Sequence, residues 1–346
     1  MQIYKLDPMQ DSRWDDLVST HPRASVFHQS GWLEALARTY GYRPIALTST
    51  PPGNKLSDGI VFCEIKSWAT GSRLVSLPFA DHCESLLNEG GNPIVLTDWM
   101  QSERRQRRWK YIECRPLSED MLPECPPVTT QSFWLHNLDL APPIEQIFRS
   151  LHKNCMQRRI RRAERERLSY ERGCSEELLN DFYRLVMITR RRHQLLPQPR
   201  AWFRNLLACA WPNVEIRLAR KGSIPVAAIM TLRHRGTVVY KYGCSDQEFH
   251  HLVGMAFLFW KLIEEAKTAG AEQIDFGRTD PENTGLIKFK DRLGTTRKRL
   301  TYYRYPVAMA EMYHAASVMV GTRHLFSVLP DALSSRAGRL VYRHIG

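Results

Sequence analysis

The densest run of residues that could do chemistry lies between Ile274 and Gly294, where Asp275, Arg278 and Lys290 fall close together. A strand ending at Asp275 releases polar side chains at its C-terminal edge, where open α/β sheets usually hold their ligands. At such an edge Arg278 and Lys290 can neutralise a phosphate or a developing oxyanion. Asp275 can orient an attacking amine or take its proton. The plainer reading is that Asp275 caps the following turn and Arg278 pairs with it.

A second constellation is basic. Lys153 to Arg172 holds eight Lys and Arg residues against three Glu. Leu151, Cys155, Ile160 and Ala163 can form a buried stripe, leaving Arg158 and Arg162 on a ridge that grips phosphates. The competing reading is a solvated helix with Arg–Glu pairs four apart, such as Arg162 with Glu166. Arg190-Arg191-Arg192-His193 forms a second basic cluster. The third constellation is a strand-to-helix turn from Tyr240 to Ala256 that contains Tyr242, His251, Gly254 and Ala256. Open backbone N–H groups and the helix dipole at such a start favour an anion. Alternatively, Gly254 only lets the helix pack closely on its sheet.

Two sites fall near the start of the chain. Leu77 to Cys83 offers Asp81, His82 and Cys83 in succession. Adjacent side chains rarely face each other, which argues against a Cys–His nucleophile and for a binding loop in which Asp81 positions an amine. His28 and Trp32 stand at a helix start as substrate-binding candidates, with a core role for Trp32 as the alternative. No His or Cys spacing is that of a metal site.

These residues need elements to position them. Asp11 and Ser30 cap two short helices, the second stopped by Gly41. Strands follow at 43–48, 59–67 and 73–79, then a helix opened by Asn92-Pro93 and a strand over 109–115. Residues 116–130, rich in Pro, Glu and Thr, read as a linker. This sets the expected domains at 1–125 and 126–346. In the second, a strand at 132–138 precedes one long helix from Pro142 to about Arg167. Helices at 176–192 and 199–209 lead to an antiparallel meander of strands at 214–219, 225–232 and 237–243. Val214, Ile216 and Leu218 alternate there with Glu215 and Arg217. A helix at 255–269, capped by Gly270, is followed by a strand at 273–277, a helix at 281–292, a strand at 299–305 and a helical tail broken at Gly321, Pro330 and Gly338. Lys110 to Arg115 resembles Glu272 to Arg278, 162 residues later, and each follows a helix that follows strands. That repeat predicts two similar domains.

The 346 residues carry 49 Lys and Arg against 36 Asp and Glu, a net charge of +13. Such an excess favours a polyanionic partner. Apolar residues at 43% exclude a mainly disordered chain. The N-terminus lacks the apolar core of a signal peptide, and the longest uncharged apolar stretch, 253–260, is too short to span a membrane. Eight cysteines without a Cys-x-x-Cys pair read as reduced thiols and a cytoplasmic location.

Together these motifs resemble the Fem-type (FemAB) peptidyltransferases and the CelD-like acetyltransferase domains of the GNAT superfamily. Asp275-Phe276-Gly277-Arg278-Thr279, Asn283-x-Gly285-Leu286, Phe289-Lys290, Gly294 and Leu300-x-Tyr302-Tyr303 carry most of the likeness. Val26 to Trp32, Ser76 to Asp81 and the Arg-rich stretch at 157–167 add to it. The resemblance implies an α/β (α+β) fold of two tandem GNAT-like domains, with mixed sheets flanked by helices. It implies an N-acyltransferase that moves an acyl or aminoacyl group from acyl-CoA or aminoacyl-tRNA to an amine, without a permanently bound cofactor or a metal. His251-Leu252-Val253-Gly254-Met255-Ala256 keeps the Gly-x-Ala of the GNAT pyrophosphate loop and replaces its leading Gln or Arg by His. The expected roles are Asp275, Lys290 and Asp81 in catalysis; Arg278, His28, Trp32, Tyr242, Arg158 and Arg162 on substrate or phosphate; and His251, Gly254 and Ala256 on the donor. The expected partners are a phosphate-bearing or lipid-linked precursor of the cell envelope, peptidoglycan or exopolysaccharide, and tRNA, with peripheral membrane contact and no DNA. A non-catalytic RNA- or glycan-binding protein on a degenerate acyltransferase fold is the alternative.

Overall fold

The computed structural model describes residues 2–87, 93–118, 128–305 and 331–345. Its contacts form two compact units. The first comprises Met1–Ser132, Leu300–Val318 and Gly338–Gly346, and the second comprises Phe133–Arg299 and Met319–Ala337. A contiguous division at 125/126 is therefore replaced by one in which the chain returns to the first unit at Leu300. Sequence periodicity marks a strand without marking its partner, so this exchange has no local signature. Residues 119–127 and the tail breaks at Gly321 and Pro330 lie outside the described residues.

In the first unit, β1 (Tyr4–Leu6) precedes α1 (Ser12–Thr20) and α2 (Ser30–Tyr40). The Asp11 carboxylate accepts the Arg13 amide at the start of α1, and Gly41, at φ 70°, ends α2 in the left-handed conformation that glycine adopts without penalty. β2 (Arg43–Thr48), β3 (Ile60–Ile65) and β4 (Arg73–Val75) form an antiparallel meander. α3 (Pro93–Arg107) leads to β5 (Ile112–Cys114), which lies parallel to β4. The end of β12 (Thr296–Tyr305) then pairs antiparallel with β5. Every residue of β3 is buried, Glu64 included, so the strand shows no alternation between a core face and a solvent face. Trp14, Trp32, Phe27 and Phe62 fill the core.

The second unit repeats this order. β6 (Val128–Asp139) is followed by α4 (Ile144–Ser150), α5 (Arg158–Arg165) and β7 (Ser169–Gly173). α6 (Glu176–Arg192) and α7 (Arg200–Cys209) precede the meander β8 (Val214–Lys221), β9 (Ile224–His234) and β10 (Thr237–Ser245). α8 (Gly254–Thr268) then leads to β11 (Gln273–Thr279), parallel to β10 and antiparallel to β6. α9 (Thr284–Asp291) follows, and α10 (Asp331–Ile345) is the last described element. Two helices separate the first strand from a three-strand meander in the first unit, and four helices with the edge strand β7 do so in the second; in both, a helix then crosses to a strand parallel with the meander's last. This shared topology, with mixed sheets flanked by helices, is the tandem α/β arrangement that the repeat predicted.

Two readings are corrected. The single helix expected from Pro142 to Arg167 is three pieces: α4, a π-helical segment at Lys153–Gln157, and α5. Leu151 is extended at the break, and the His152 amide bonds the Arg292 carbonyl, 3.0 Å away. A long-range partner thus overrides the local helical pattern. β7 was also missed, because Ser169–Gly173 is a mostly exposed edge strand without apolar alternation. The core of the second unit packs α8 residues Leu258, Phe259, Leu262 and Ile263 against Ile229, Ile274 and Phe276 of the sheet.

Candidate acyl-donor site

The site begins where β10 leaves its neighbour. β10 and β11 pair only from Thr237 with Gln273 to Val239 with Asp275, whereas β10 stays registered with β9 as far as Ser245. A bulge between Tyr240 and Tyr242 sets the departure, since an extra residue bends a strand and increases its local twist. Two parallel strands that separate expose backbone and a wedge of space. Gly243 lies in that stretch, and a Cβ there would fall 2.1 Å from the Tyr240 hydroxyl.

The chain then makes a 3₁₀ turn at Gln247–Leu252 and enters α8 through Val253. Val253 has φ 56°, a left-handed conformation that a β-branched residue adopts at a cost of about 1–3 kcal/mol. Gly254 is buried, and a Cβ on it would lie 3.0 Å from Ala227 Cβ and 3.2 Å from Val226 Cγ2. The helix start therefore sits directly on β9, as the close-packing reading required. The anion reading survives beside it. The first carbonyl acceptor of α8, that of Val253, serves Ala256 and Phe257, so Gly254 and Met255 have no intrahelical acceptor for their amides.

Around this helix start is a cavity of about 940 Å³, a size ordinary for a cofactor or substrate site. Five arginines line it (Arg158, Arg159, Arg162 and Arg165 of α5, and Arg192 at the end of α6) against one acid, Glu166. Arg162 pairs with Glu166 at 3.6 Å, as the solvated-helix reading expects, and it also lines the cavity. Arg192 is held in place. Its guanidinium donates to the Ser245 carbonyl at 3.3 Å and to His250 Nε2 at 3.1 Å. Ser245 is fixed in turn by Thr189, whose hydroxyl donates to the Ser245 carbonyl and accepts its amide. Partial burial and the Arg192 charge push His250 below the usual histidine range, with Asp246 opposing. The downward shift favours the form of His250 whose Nε2 accepts from Arg192. His193 is shifted down by burial and by Arg192 and Arg190. The cavity combines helix amides, oriented guanidinium groups and an apolar floor of Val226, Ala227 and Phe289. That arrangement suits a phosphate carrying an apolar or acyl arm.

The structure brings together Arg158, Arg162, His251, Gly254 and Ala256 of the expected residues. The others lie elsewhere. The Tyr242 hydroxyl accepts from Trp202 Nε1 at 2.8 Å and its ring meets Phe203 edge-on, so it braces α7. Asp275 and Lys290 form a buried knot at the β11–α9 connection, with Arg278 half-buried beside them. The Asp275 carboxylate accepts the Gly277 amide at 2.6 Å, the turn-capping role of the plainer reading. Lys290 Nζ donates to the carbonyls of Gly277 and Arg278 at 2.9 and 3.1 Å. The Arg278 guanidinium stacks 4.3 Å over the Phe133 ring. None of the three is among the cavity's lining residues.

In the first unit, Trp32 is fully buried in the core. His28 is also fully buried. Its Nδ1 accepts the Ser25 amide at 3.0 Å, so Nε2 carries the proton and donates to the Glu84 carbonyl at 2.9 Å. The Cys83 thiol lies 3.5 Å from His28 Nε2, and burial raises its pKa well above the ordinary value, which removes it as a nucleophile at neutral pH. Asp81 is buried, and its backbone carbonyl accepts the Tyr302 hydroxyl at 2.6 Å.

Sequence reasoning missed Thr189, Ser245 and Val253 as parts of the site, and His136 beside the knot. Polar residues such as Thr and Ser carry no spacing signal, because their value here comes from contact across more than fifty residues.

Residues 150–290 match the family model of the acetyltransferase (GNAT) domain. The matched span includes every element around the cavity. Among solved structures, FemX is 14% identical with a TM-score of 0.66, covering 87% of this chain and 97% of its own. The C-terminal domain of a putative lysylphosphatidylglycerol synthetase from Agrobacterium fabrum is 11% identical with a TM-score of 0.56, covering 91% of this chain and 96% of its own. A tandem GNAT protein from the clavulanic acid biosynthesis pathway is 11% identical with a TM-score of 0.54, covering 90% of this chain and 99% of its own. No curated protein matches the sequence. The match assigns a GNAT acetyltransferase domain to residues 150–290, and the fold of the chain is like that of tandem GNAT proteins. GNAT acyltransferases use acyl-CoA as a co-substrate and keep no permanent cofactor.

Proposed function

We propose that this enzyme transfers an acyl or aminoacyl group from a phosphate-bearing donor, held at the start of α8, to an amine on a cell-envelope precursor. The observation that carries the reading is the cavity, where the unpaired amides of Gly254 and Met255 meet the oriented Arg192 and the α5 arginines. His251 stands at the leading position of the pyrophosphate loop, and the guanidinium groups beside that loop, those of Arg192, Arg158 and Arg162, come from other helices. The wedge between β10 and β11 receives the acyl arm, and the free edge of β10 offers backbone groups to polarise its carbonyl. Direct attack by the acceptor amine on a thioester or ester then needs no covalent enzyme intermediate: the amine nitrogen bonds to the carbonyl carbon, the bond from that carbon to sulfur or oxygen breaks, and the proton lost by the nitrogen ends on the departing thiolate or alkoxide.

Acyl-CoA is the donor that the wedge fits best. Aminoacyl-tRNA is the second reading, favoured by a run of α5 arginines that exceeds what one pyrophosphate needs. Peptidoglycan, exopolysaccharide and lipid-linked acceptors all belong to the class, and a cytoplasmic enzyme meets them at the inner face of the envelope. The test is calorimetric titration with acetyl-CoA, longer acyl-CoAs and charged tRNA, followed by a transfer assay on amine acceptors with the donor that binds. Saturable binding that Arg158→Ala/Arg162→Ala weakens supports the reading. Failure of all these donors to bind at low ionic strength overturns it.

A further inference from the structure

The first unit exposes an unusual pair of side chains. Trp68 is 90% exposed and Leu340 65% exposed. They lie together. Trp68 packs edge-on against the His344 ring, centroids 5.4 Å apart, and Leu340 is one helical turn before His344 on α10. The turn carrying Trp68 is bolted down: the Ser67 hydroxyl meets His344 Nδ1 at 3.0 Å, and the His344 carbonyl accepts from Thr70 Oγ1 at 2.9 Å and Arg73 Nη2 at 2.7 Å. The Tyr42 hydroxyl anchors the same helix through the Tyr342 carbonyl at 2.6 Å. A large apolar side chain carried into water on a braced turn gains little from folding, and its backbone needs no further ordering to be buried later.

The charge that α10 presents beside the pair is basic. Among the residues of α10 whose burial is described, the exposed ones are Leu333, Arg336, Arg339, Leu340 and Arg343, three cations and two leucines. Its inward face carries Gly338 and Tyr342, which are buried. Lys66, two residues before Trp68, is 75% exposed, with its ammonium 3.9 Å from Glu64. A helix with one face packed on the protein and the other built of Arg and Leu, beside an exposed Trp, has the makeup of an interfacial membrane contact. No described helix is long and apolar enough to cross a membrane.

We propose that Trp68, Leu340 and the arginines of α10 form a docking face for an anionic lipid surface. Trp68 and Leu340 enter the headgroup boundary while Arg336, Arg339 and Arg343 meet the lipid phosphates. The face lies outside the donor cavity's lining, so it holds the enzyme at a membrane without using its donor-binding residues. The proposal is independent of the donor assignment, and its test reads binding rather than turnover.

The full chain is sedimented with vesicles of phosphatidylcholine alone and with a third of the lipid replaced by phosphatidylglycerol. Partition at least tenfold higher into the anionic vesicles is expected. Trp68→Ala should lower it on the order of tenfold, the loss of one buried aromatic side chain. Arg336→Ala/Arg339→Ala/Arg343→Ala should lower it on the order of a hundredfold, about fivefold per cation. All these side chains are exposed, so circular dichroism and donor binding should remain as in the wild type. Equal partition into both vesicles, no partition, or variants that bind as well as wild type would each overturn the proposal. So would concentration-dependent dimerisation abolished by Leu340→Arg without vesicle binding, because the face would then join two copies of the chain.

Discussion

His136 tests whether the Asp275–Lys290 knot is sealed from solvent. Its side chain is fully buried, and Nδ1 lies 3.3 Å from the Thr295 hydroxyl and 3.8 Å from the Asp291 carboxylate. Burial lowers its pKa to about 4, with Lys290 and Arg297 adding to the shift and Asp291 and Asp275 opposing it. In the unfolded chain the ring takes up a proton near pH 6.5. Between these values the unfolded state binds a proton that the folded state refuses, so stability falls as pH falls. The loss from this one group is about 2 kcal/mol by pH 5 and approaches about 3 kcal/mol below pH 4. Above pH 6.5 the contribution is full and constant. The assay is urea unfolding of wild type and His136→Gln between pH 7.5 and 4.5, with the ring proton followed by NMR. The stability difference between the two proteins should shift by about 2 kcal/mol between pH 7.5 and 5, with wild type losing more. Parallel profiles, or a ring that titrates near 6.5, would refute the reasoning and mean that water reaches Asp275 and Lys290.

Arg192→Met keeps the stem but removes a guanidinium that Ser245 and His250 orient. Donor affinity should fall on the order of tenfold or more, as for the loss of a charge-assisted hydrogen bond, with little change in melting temperature. Gly254→Val places a branched side chain where a single Cβ already meets Ala227 at 3.0 Å. It should lower stability by about 1–3 kcal/mol and weaken donor binding, both readable by calorimetry. Lys290→Met orphans the Gly277 and Arg278 carbonyls. A loss of stability of about 1–3 kcal/mol should therefore accompany any loss of turnover. Turnover lost at unchanged stability would return Lys290 to the chemistry.

The Arg-rich stretch and the helix entry at Gly254 were legible because each rests on local composition or a short spacing. The meander was legible because alternation along Val214 to Leu218 is a local pattern. Asp275 and Lys290 were legible as a cluster but not as a role, since a carboxylate that caps a turn and one that meets an amine look alike in sequence. His28 shows the same limit: a helix-start histidine reads as a ligand-binding candidate until its two nitrogens are seen bonded to Ser25 and Glu84.

The sequence by itself determined the repeat, the basic balance and the Arg-rich and Gly254 segments now proposed to hold phosphate, because these depend on residue type and near spacing. Tertiary structure decided the rest. It brought α5 and the end of α6 to one cavity, parted β10 from β11, and sent the end of β12 to the first unit. It also turned Trp68 and Leu340 outward side by side, though they are far apart along the chain. Each of these outcomes rests on contacts between distant residues, whose energy comes from burial and pairing that no local window contains.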